Sequence, residues 1–257
     1  MKPFRVLSID WDYLVNATME ERIMMFPDGG NEDLPSAIQD SIWSTHYNYA
    51  GLERICVDYE ALKKLKEFIE IHCRNSRCII YDSHKFMYDE VISSTEVGQP
   101  IRIINVDFHH DMYENDYDEV DCGNWVNCLY ENENFHKTHK CDHYWWVARE
   151  DSDRHPEYKD YLTEITIDNL NDFEGFDCDL LFICRSSVWS PPHLDSEFKE
   201  FCEWCISHTS YGEINMSSLS RYTDKFKDLI KENDVLKRSV TIELDSSICN
   251  QNKGGQK

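Results

Sequence analysis

The chain has 257 residues, 41% of them hydrophobic and 13% aromatic, enough to bury one sizeable core. Its 49 Asp and Glu against 26 Lys and Arg give a formal net charge of −23, which argues against nucleic acid and anionic membrane surfaces and favours cationic ligands such as metal ions or Arg- and Lys-bearing peptides. The apolar run from Phe4 to Ile9 is too short for a signal peptide or a membrane span, so a cytoplasmic protein is expected, and the 11 cysteines, odd in number, read as reduced core thiols.

Phe4 to Ile9 reads as the first strand, delivering Asp10 and Asp12 to its carboxyl end at i, i+2 spacing, where both face the same way. Residues 16–51 have no regular pattern, apart from Pro35 placed to open a short helix toward Trp43, and are expected to form a lid or partner surface. Asp58 is placed to cap a helix that carries Leu62, Leu65, Phe68 and Ile69 at core spacing. Arg77 to Tyr81 reads as a buried strand ending at Asp82-Ser83-His84, with a helix from Lys85 to Ser93. Next comes the β-branched run Ile101, Ile103, Ile104 and Val106, bounded upstream by Gly98-Gln99-Pro100. Past its carboxyl end Asp107, His109 and Asp111 alternate, the spacing that sets three side chains on one side of an extended segment. His110 points away from them and reads as a residue that supports the ligands from behind or packs in the core, not as a ligand.

An acidic loop through Asp121 leads to Gly123-Asn124-Trp125 and a helix through Leu129. Further strands are expected over His143–Ala148 and Asp179–Cys184, the second opening into a Ser-, Trp- and Pro-containing loop that ends at Pro192. Helices follow over Ser196–Ser207 and Tyr222–Asn233, then a final strand at SVTIEL, residues 239–244. Cys202 and Cys205 form a lone CxxC in the first of these helices, where a structural zinc is not favoured. Strands alternating with helices predict a largely parallel sheet flanked by helices in one α/β domain over residues 1–248, with a polar tail at 249–257.

Candidate ligands thus sit at three strand ends: Asp10 and Asp12, His84, and Asp107, His109 and Asp111. Ligands of open α/β sheets bind outside the carboxyl ends of strands. A lone Asp-x-His would read as a polar surface turn, but the three motifs together read as a metal centre. Carboxylate with imidazole suits Mn, Fe or Zn better than Ca. The set is too large for one tetrahedral zinc and suits two ions sharing carboxylates, roughly 3.5 to 4 Å apart.

These residues resemble the arginase-like ureohydrolases. Asp107-Phe108-His109-His110-Asp111 is similar to that family's Asp-x-His-x-Asp motif, Ser8-Ile9-Asp10-Trp11-Asp12 to its Ser-x-Asp-x-Asp motif, Asp82-Ser83-His84 to its Gly-Gly-Asp-His element, and Gly123-Asn124 to its substrate loop. More closely, the chain resembles the atypical branch of peptide arginases, which convert arginine to ornithine in ribosomally made peptides. The resemblance spans residues 4–192. It departs from the family in motif order, which is permuted, and in Tyr13-Leu14-Val15 where Asp-Pro is usual. Ser186, Ser187, Val188 and Trp189 stand where the family carries acids that hold a free amino acid's α-amino group, a loss that fits a substrate arginine inside a peptide.

The resemblance implies an arginase/deacetylase-like three-layer architecture and two Mn ions per chain. One ion would take His84, Asp107, Asp111 and Asp10, and the other His109, Asp107, Asp10 and Asp12, with Asp10 and Asp107 bridging. It further implies hydroxide between the ions attacking the guanidinium of an arginine-containing precursor peptide to give ornithine and urea, Asp111 as proton shuttle, and Asn124 as a substrate-loop residue. Glu53, Glu131 and Glu243 are the candidates for the acid that grips the guanidinium. Three other readings compete. A deacetylase-like hydrolase would use one zinc at Asp12, Asp107 and His109. A haloacid-dehalogenase-like phosphatase would use Asp10 as nucleophile, but has Thr where Leu14 stands. The last is a non-enzymatic binding module.

Overall fold

Strands buried on both faces read as near-continuous apolar runs, and four such runs make the middle of this sheet. The computed structural model describes residues 1–27, 34–48, 51–114, 119–131, 138, 140–152 and 162–234. Seven strands form one sheet: β1 (Phe4–Asp10), β4 (Arg77–Tyr81), β5 (Pro100–Val106), β6 (Lys140–Val147), β7 (Thr163–Ile165), β8 (Leu180–Cys184) and β9 (Tyr211–Ile214). Their order is β7-β6-β5-β1-β8-β4-β9, and each neighbouring pair is parallel. Two short strands, β2 (Val15–Asn16) and β3 (Cys56–Val57), pair antiparallel beside it.

The register levels the carboxyl ends of the central strands. Ile9 lies opposite both Val106 and Ile183, and Tyr81 opposite Cys184, so the residues after β1, β4, β5 and β8 leave one edge together. Alternation along the strands sends Leu7, Ile9, Ile80, Ile104, Leu181 and Ile183 to one face. There they meet α3 (Tyr59–His72) and α6 (Asp195–His208) through Leu65, Ile69, Phe198 and Phe201. Val6, Ile79, Ile103 and Phe182 face the other way, onto Met87 and Val91 of α4 (Phe86–Ser94) and Trp125 and Leu129 of α5 (Trp125–Glu131). The result is three layers, helix on sheet on helix. Each fully buried Leu, Ile or Phe in these clusters contributes roughly 1.5 to 3 kcal/mol.

Residues 16–51 are more regular than the sequence suggests. They hold α1 (Met19–Met25) and α2 (Ser36–His46), the latter opened by Pro35. A capping box starts α1: the Glu21 amide donates to Thr18 Oγ1 at 3.2 Å and the Thr18 amide to Glu21 Oε2 at 2.8 Å. Its T-x-x-E signature was there to be read, but the one residue this helix buries is Arg22, so no apolar stripe announces it. The helix expected over Tyr222–Asn233 runs through residues 224–234. The strand expected at 239–244 and the tail at 249–257 lie outside the described residues. Cys73, Cys78, Cys178, Cys184, Cys202 and Cys205 are buried and in no disulfide, and the CxxC pair packs into the core from α6. Among the described residues no helix is long and apolar enough to cross a membrane.

Candidate metal centre

The end of β1 sends its two carboxylates to different places. Asp10 Oδ1 accepts from the Asp12 amide at 3.1 Å, which starts a 3₁₀ turn over Trp11–Leu14 anchored by the buried Trp11, Tyr13 and Leu14. Asp10 and Asp12 are not side by side as in a continuing strand, because the turn rotates the second away. Asp10 Oδ2 lies 3.4 Å from His84 Nδ1, and Asp12 Oδ2 lies 3.3 Å from His109 Nδ1.

The segment after β5 is likewise a loop and not the extended run its alternation suggests. The His109 amide donates to Asp107 Oδ1 at 2.8 Å, and Asp111 takes a left-handed backbone with φ 55°, which Asp tolerates better than most residues. That turn, and not the period of a strand, brings the three side chains together. Asp107 meets both imidazoles: its Oδ2 is 3.1 Å from His84 Nδ1 and its Oδ1 is 3.8 Å from His109 Nδ1. Asp111 Oδ2 is 3.1 Å from His84 Nδ1 and accepts from Trp125 Nε1 at 2.5 Å and Asn105 Nδ2 at 3.3 Å.

Groups behind these residues fix them. Ser8 Oγ and His84 Nε2 share a 2.6 Å hydrogen bond, which orients the ring so that Nδ1 faces the carboxylates. The same ring stacks on Phe182 at 5.6 Å. Asn105 Nδ2 also donates to Asp107 Oδ2 at 3.2 Å. Arg22, 1% exposed, is the cation of the site and escaped sequence reasoning. Its Nη2 donates to the carbonyls of Asp12 and Val15 at 2.8 and 2.9 Å, its Nη1 lies 3.7 Å from Asp12 Oδ2, and its guanidinium sits 3.9 Å from the Phe108 ring centre.

Four carboxylates in so dry a place cannot all stay ionised without help. Burial, reinforced by the charges of Asp12 and Asp107, pushes Asp10 up to about 7. Burial and the charge of Asp111 push Asp107 up to about 8. Burial also acts on Asp12, but His109, Arg22 and the Phe108 amide outweigh it and hold that carboxyl below its usual range. Burial disfavours the His109 imidazolium, yet Asp12 lifts it to about 9. His84 is likewise driven well above the ordinary imidazole value, against its burial, with Asp111 foremost among the charges that raise it. The cluster thus holds protons in place of the positive charge it lacks.

A divalent cation fits that want. His84 Nδ1 and Asp12 Oδ2 are buried polar atoms with no hydrogen-bond partner, and both face the cluster. Two groups have ligand atoms within 4.8 Å of one another: Asp10, His84 and Asp107, and Asp12, Asp107 and His109. They share Asp107, and either could hold a metal ion. Asp10 belongs to the His84 group, and Asp111 touches His84 without belonging to either.

Beside the ligands lies a cavity of about 120 Å³, lined by Asp10, His109, Asp111, Tyr113, Ser186 and Trp189 among others, far below the volume of a drug-sized pocket. A larger open cleft of about 620 Å³, lined by Tyr13, Asp58, Arg149 and Asp151, contains no candidate ligand, and its arginine is paired with both of those acids. Asn124 does not reach the cavity. Its Oδ1 accepts from the Asp121 amide at 2.8 Å and its Nδ2 donates to the Glu119 carbonyl at 3.0 Å, so it staples the loop before α5. Glu53 lies on a 3₁₀ turn and does not line the cavity either. The Glu131 side chain, Glu243, His136, His139 and His155 fall outside what is described. His110 is buried, packed on Tyr113 and Trp146 as its position suggested.

Fold and site together define an α/β protein with a buried Asp/His cluster able to bind a metal ion. No family model, curated protein or solved structure matches the chain.

Proposed function

We propose that this chain is a metal-dependent hydrolase that cleaves the guanidinium of a peptidyl arginine to ornithine and urea, with two Mn ions at the Asp/His cluster. The observation that carries the reading is the pair of ligand groups that meet at Asp107. His84 and Asp10 would hold one ion and Asp12 and His109 the other, with Asp107 between them. Two such ions, when bound, supply a nucleophile at neutral pH, which a resonance-stabilised guanidinium carbon demands.

The chain's own residues do the rest. The carboxylates offset the metal charge, so a cationic side chain is not repelled. Ser8 and Asn105 keep His84 and Asp107 oriented, and Asp111, on the cavity wall, carries a proton toward the departing amine. Among the described residues Asp10 and Asp111 are the cavity's acids. With Ser186 in the wall, the described lining offers no acid beyond these two for an α-ammonium, which supports arginine within a peptide over the free amino acid.

Elemental mass spectrometry on protein from manganese-supplemented cells tests this, with Asp107→Ala alongside and release of ornithine and urea from Arg-containing peptides as the activity readout. Close to two Mn per chain, lost in the variant, and urea release are expected. A second reading has its own support, since Asp12, Asp107 and His109 form a complete group without the rest. A single zinc that survives His84→Ala would favour that deacetylase-like amide hydrolase. No bound metal after reconstitution would leave a non-catalytic binding module.

A further inference from the structure

Beyond the ligand residues, the small cavity is walled by Tyr113, Gly123, Ser186 and Trp189. Two of these are aromatic and arrive from different strand ends, Tyr113 after β5 and Trp189 after β8. Trp189 packs on the ligand-group residue His109 with ring centroids 5.0 Å apart and planes at 51°. Tyr113 packs on His110 at 4.3 Å. Both are half-buried, so part of each side chain stays open.

These positions are built into the fold. The Tyr113 amide donates to the Gly123 carbonyl at 3.1 Å, and a Cβ on Gly123 would come within 3.2 Å of Tyr113 Cδ2, so the ring packs against the bare glycine. The Trp189 amide donates to the Ser186 carbonyl at 3.0 Å, with Ser186 itself at φ 53°. Arg221, 4% exposed, clamps that loop: its Nη1 donates to the Ser187 carbonyl at 2.5 Å and its Nη2 to the Ser190 carbonyl at 2.6 Å, while Asp195 holds the guanidinium. Trp43 Nε1 adds a 2.8 Å bond to the same Ser187 carbonyl. Two buried donors from distant segments thus hold one aromatic loop.

We infer that Trp189, seconded by Tyr113, is the specificity-determining wall of the cavity and selects a planar guanidinium over the ammonium of a lysine side chain. The inference rests on the hydrolase reading above. A guanidinium is flat, weakly hydrated and stacks on aromatic faces, whereas an ammonium is a strongly hydrated point charge. Arg221 is a positioning residue in this account, acting through the loop and not on the substrate.

The test is isothermal titration of the manganese-loaded protein with Nα-acetyl-arginine methylamide and with the corresponding lysine amide. The unsubstituted protein prefers the arginine probe. Trp189→Leu weakens it about 5- to 30-fold, leaves the lysine probe within about twofold and keeps the metal content, while Trp189→Phe, which retains an aromatic face, stays close to the parent. Equal arginine binding by the parent and Trp189→Leu overturns the inference and leaves the hydrolase reading standing. Metal uptake with binding of neither probe by the parent overturns both. Should Trp189→Leu fail to fold, Tyr113→Leu provides the same comparison from the second aromatic, with the same two outcomes.

Discussion

Replacing Arg22 with Met removes the guanidinium beside Asp12 while keeping an apolar stem of similar length. Three carbonyls lose a donor, those of Asp12, Val15 and Ala17, at 2.8, 2.9 and 3.3 Å, and Asp12 loses the charge 3.7 Å from its Oδ2. Removing one partner of a buried ion pair costs about 3 to 5 kcal/mol, chiefly through the polar groups left behind. The methionine recovers about 1 kcal/mol by packing on Phe26 and Phe108. We therefore expect the metal-free protein to lose about 3 kcal/mol, roughly 6 to 12 °C in Tm for a chain of this size. Urea unfolding followed by circular dichroism measures this as a lower midpoint at unchanged m. Repeating it with saturating Mn should show a smaller loss, because an ion beside Asp12 restores its counter-charge but not the three carbonyl partners. A loss below about 1 kcal/mol without metal, or an identical loss with and without it, would refute the claim that Arg22 balances the cluster.

The protons held by the metal-free cluster make its stability fall as pH rises. Asp10 and Asp107, raised to about 7 and about 8, and His109, raised to about 9, bind protons more tightly folded than unfolded. The carboxyls therefore cost stability progressively from the ordinary carboxylate range up to those values, and His109 loses its contribution between its ordinary value and about 9. Asp12, held low, has its full effect above the carboxylate range and does not oppose the trend. Tm in EDTA should drop between pH 6 and pH 9 and flatten with Mn, and a rise over that interval would contradict the assignment. Ser8→Ala leaves His84 Nε2 without its buried partner and should weaken metal binding about 10- to 100-fold in chelator competition, at a cost of about 1 to 3 kcal/mol in stability. Thiol labelling of the native protein, mapped by mass spectrometry, should reach the exposed Cys56 well before Cys78, whose thiol burial pushes up to about 12.

The central strands were legible because β1, β4, β5 and β8 are covered on both sides and carry largely apolar runs, interrupted only by Arg5 and Ser8 within β1 and by Arg102 and Asn105 within β5. β7 and β9 were not, since they are short, half-exposed edge strands with no such run. The candidate ligands could be read because metal chemistry draws on few residue types and because strand ends announce where they meet. Their geometry could not. The turn that parts Asp10 from Asp12 and the positive φ of Asp111 are conformations that a period-two pattern does not encode. Arg22 stayed hidden because most of its partners are backbone carbonyls, which no side-chain pattern records. Asn124 misled for the opposite reason, its place in a familiar Gly-Asn pair concealing a local staple.

The place of β8 in the sheet also bears on how the molecule assembles. The five residues proposed as ligands all leave the ribosome by His109, yet β8, made much later, lies between β1 and β4 and pairs with both. Until residues 180–184 are synthesised and slot in, the strand ends that carry Asp10 and His84 have no shared neighbour to level them. The nascent chain would expose two long apolar strand edges, able to pair with each other in a register that shuts β8 out. Non-local insertion of this kind slows folding and leaves an interval open to aggregation. The ligands come early, but the centre can close only once β8 has arrived.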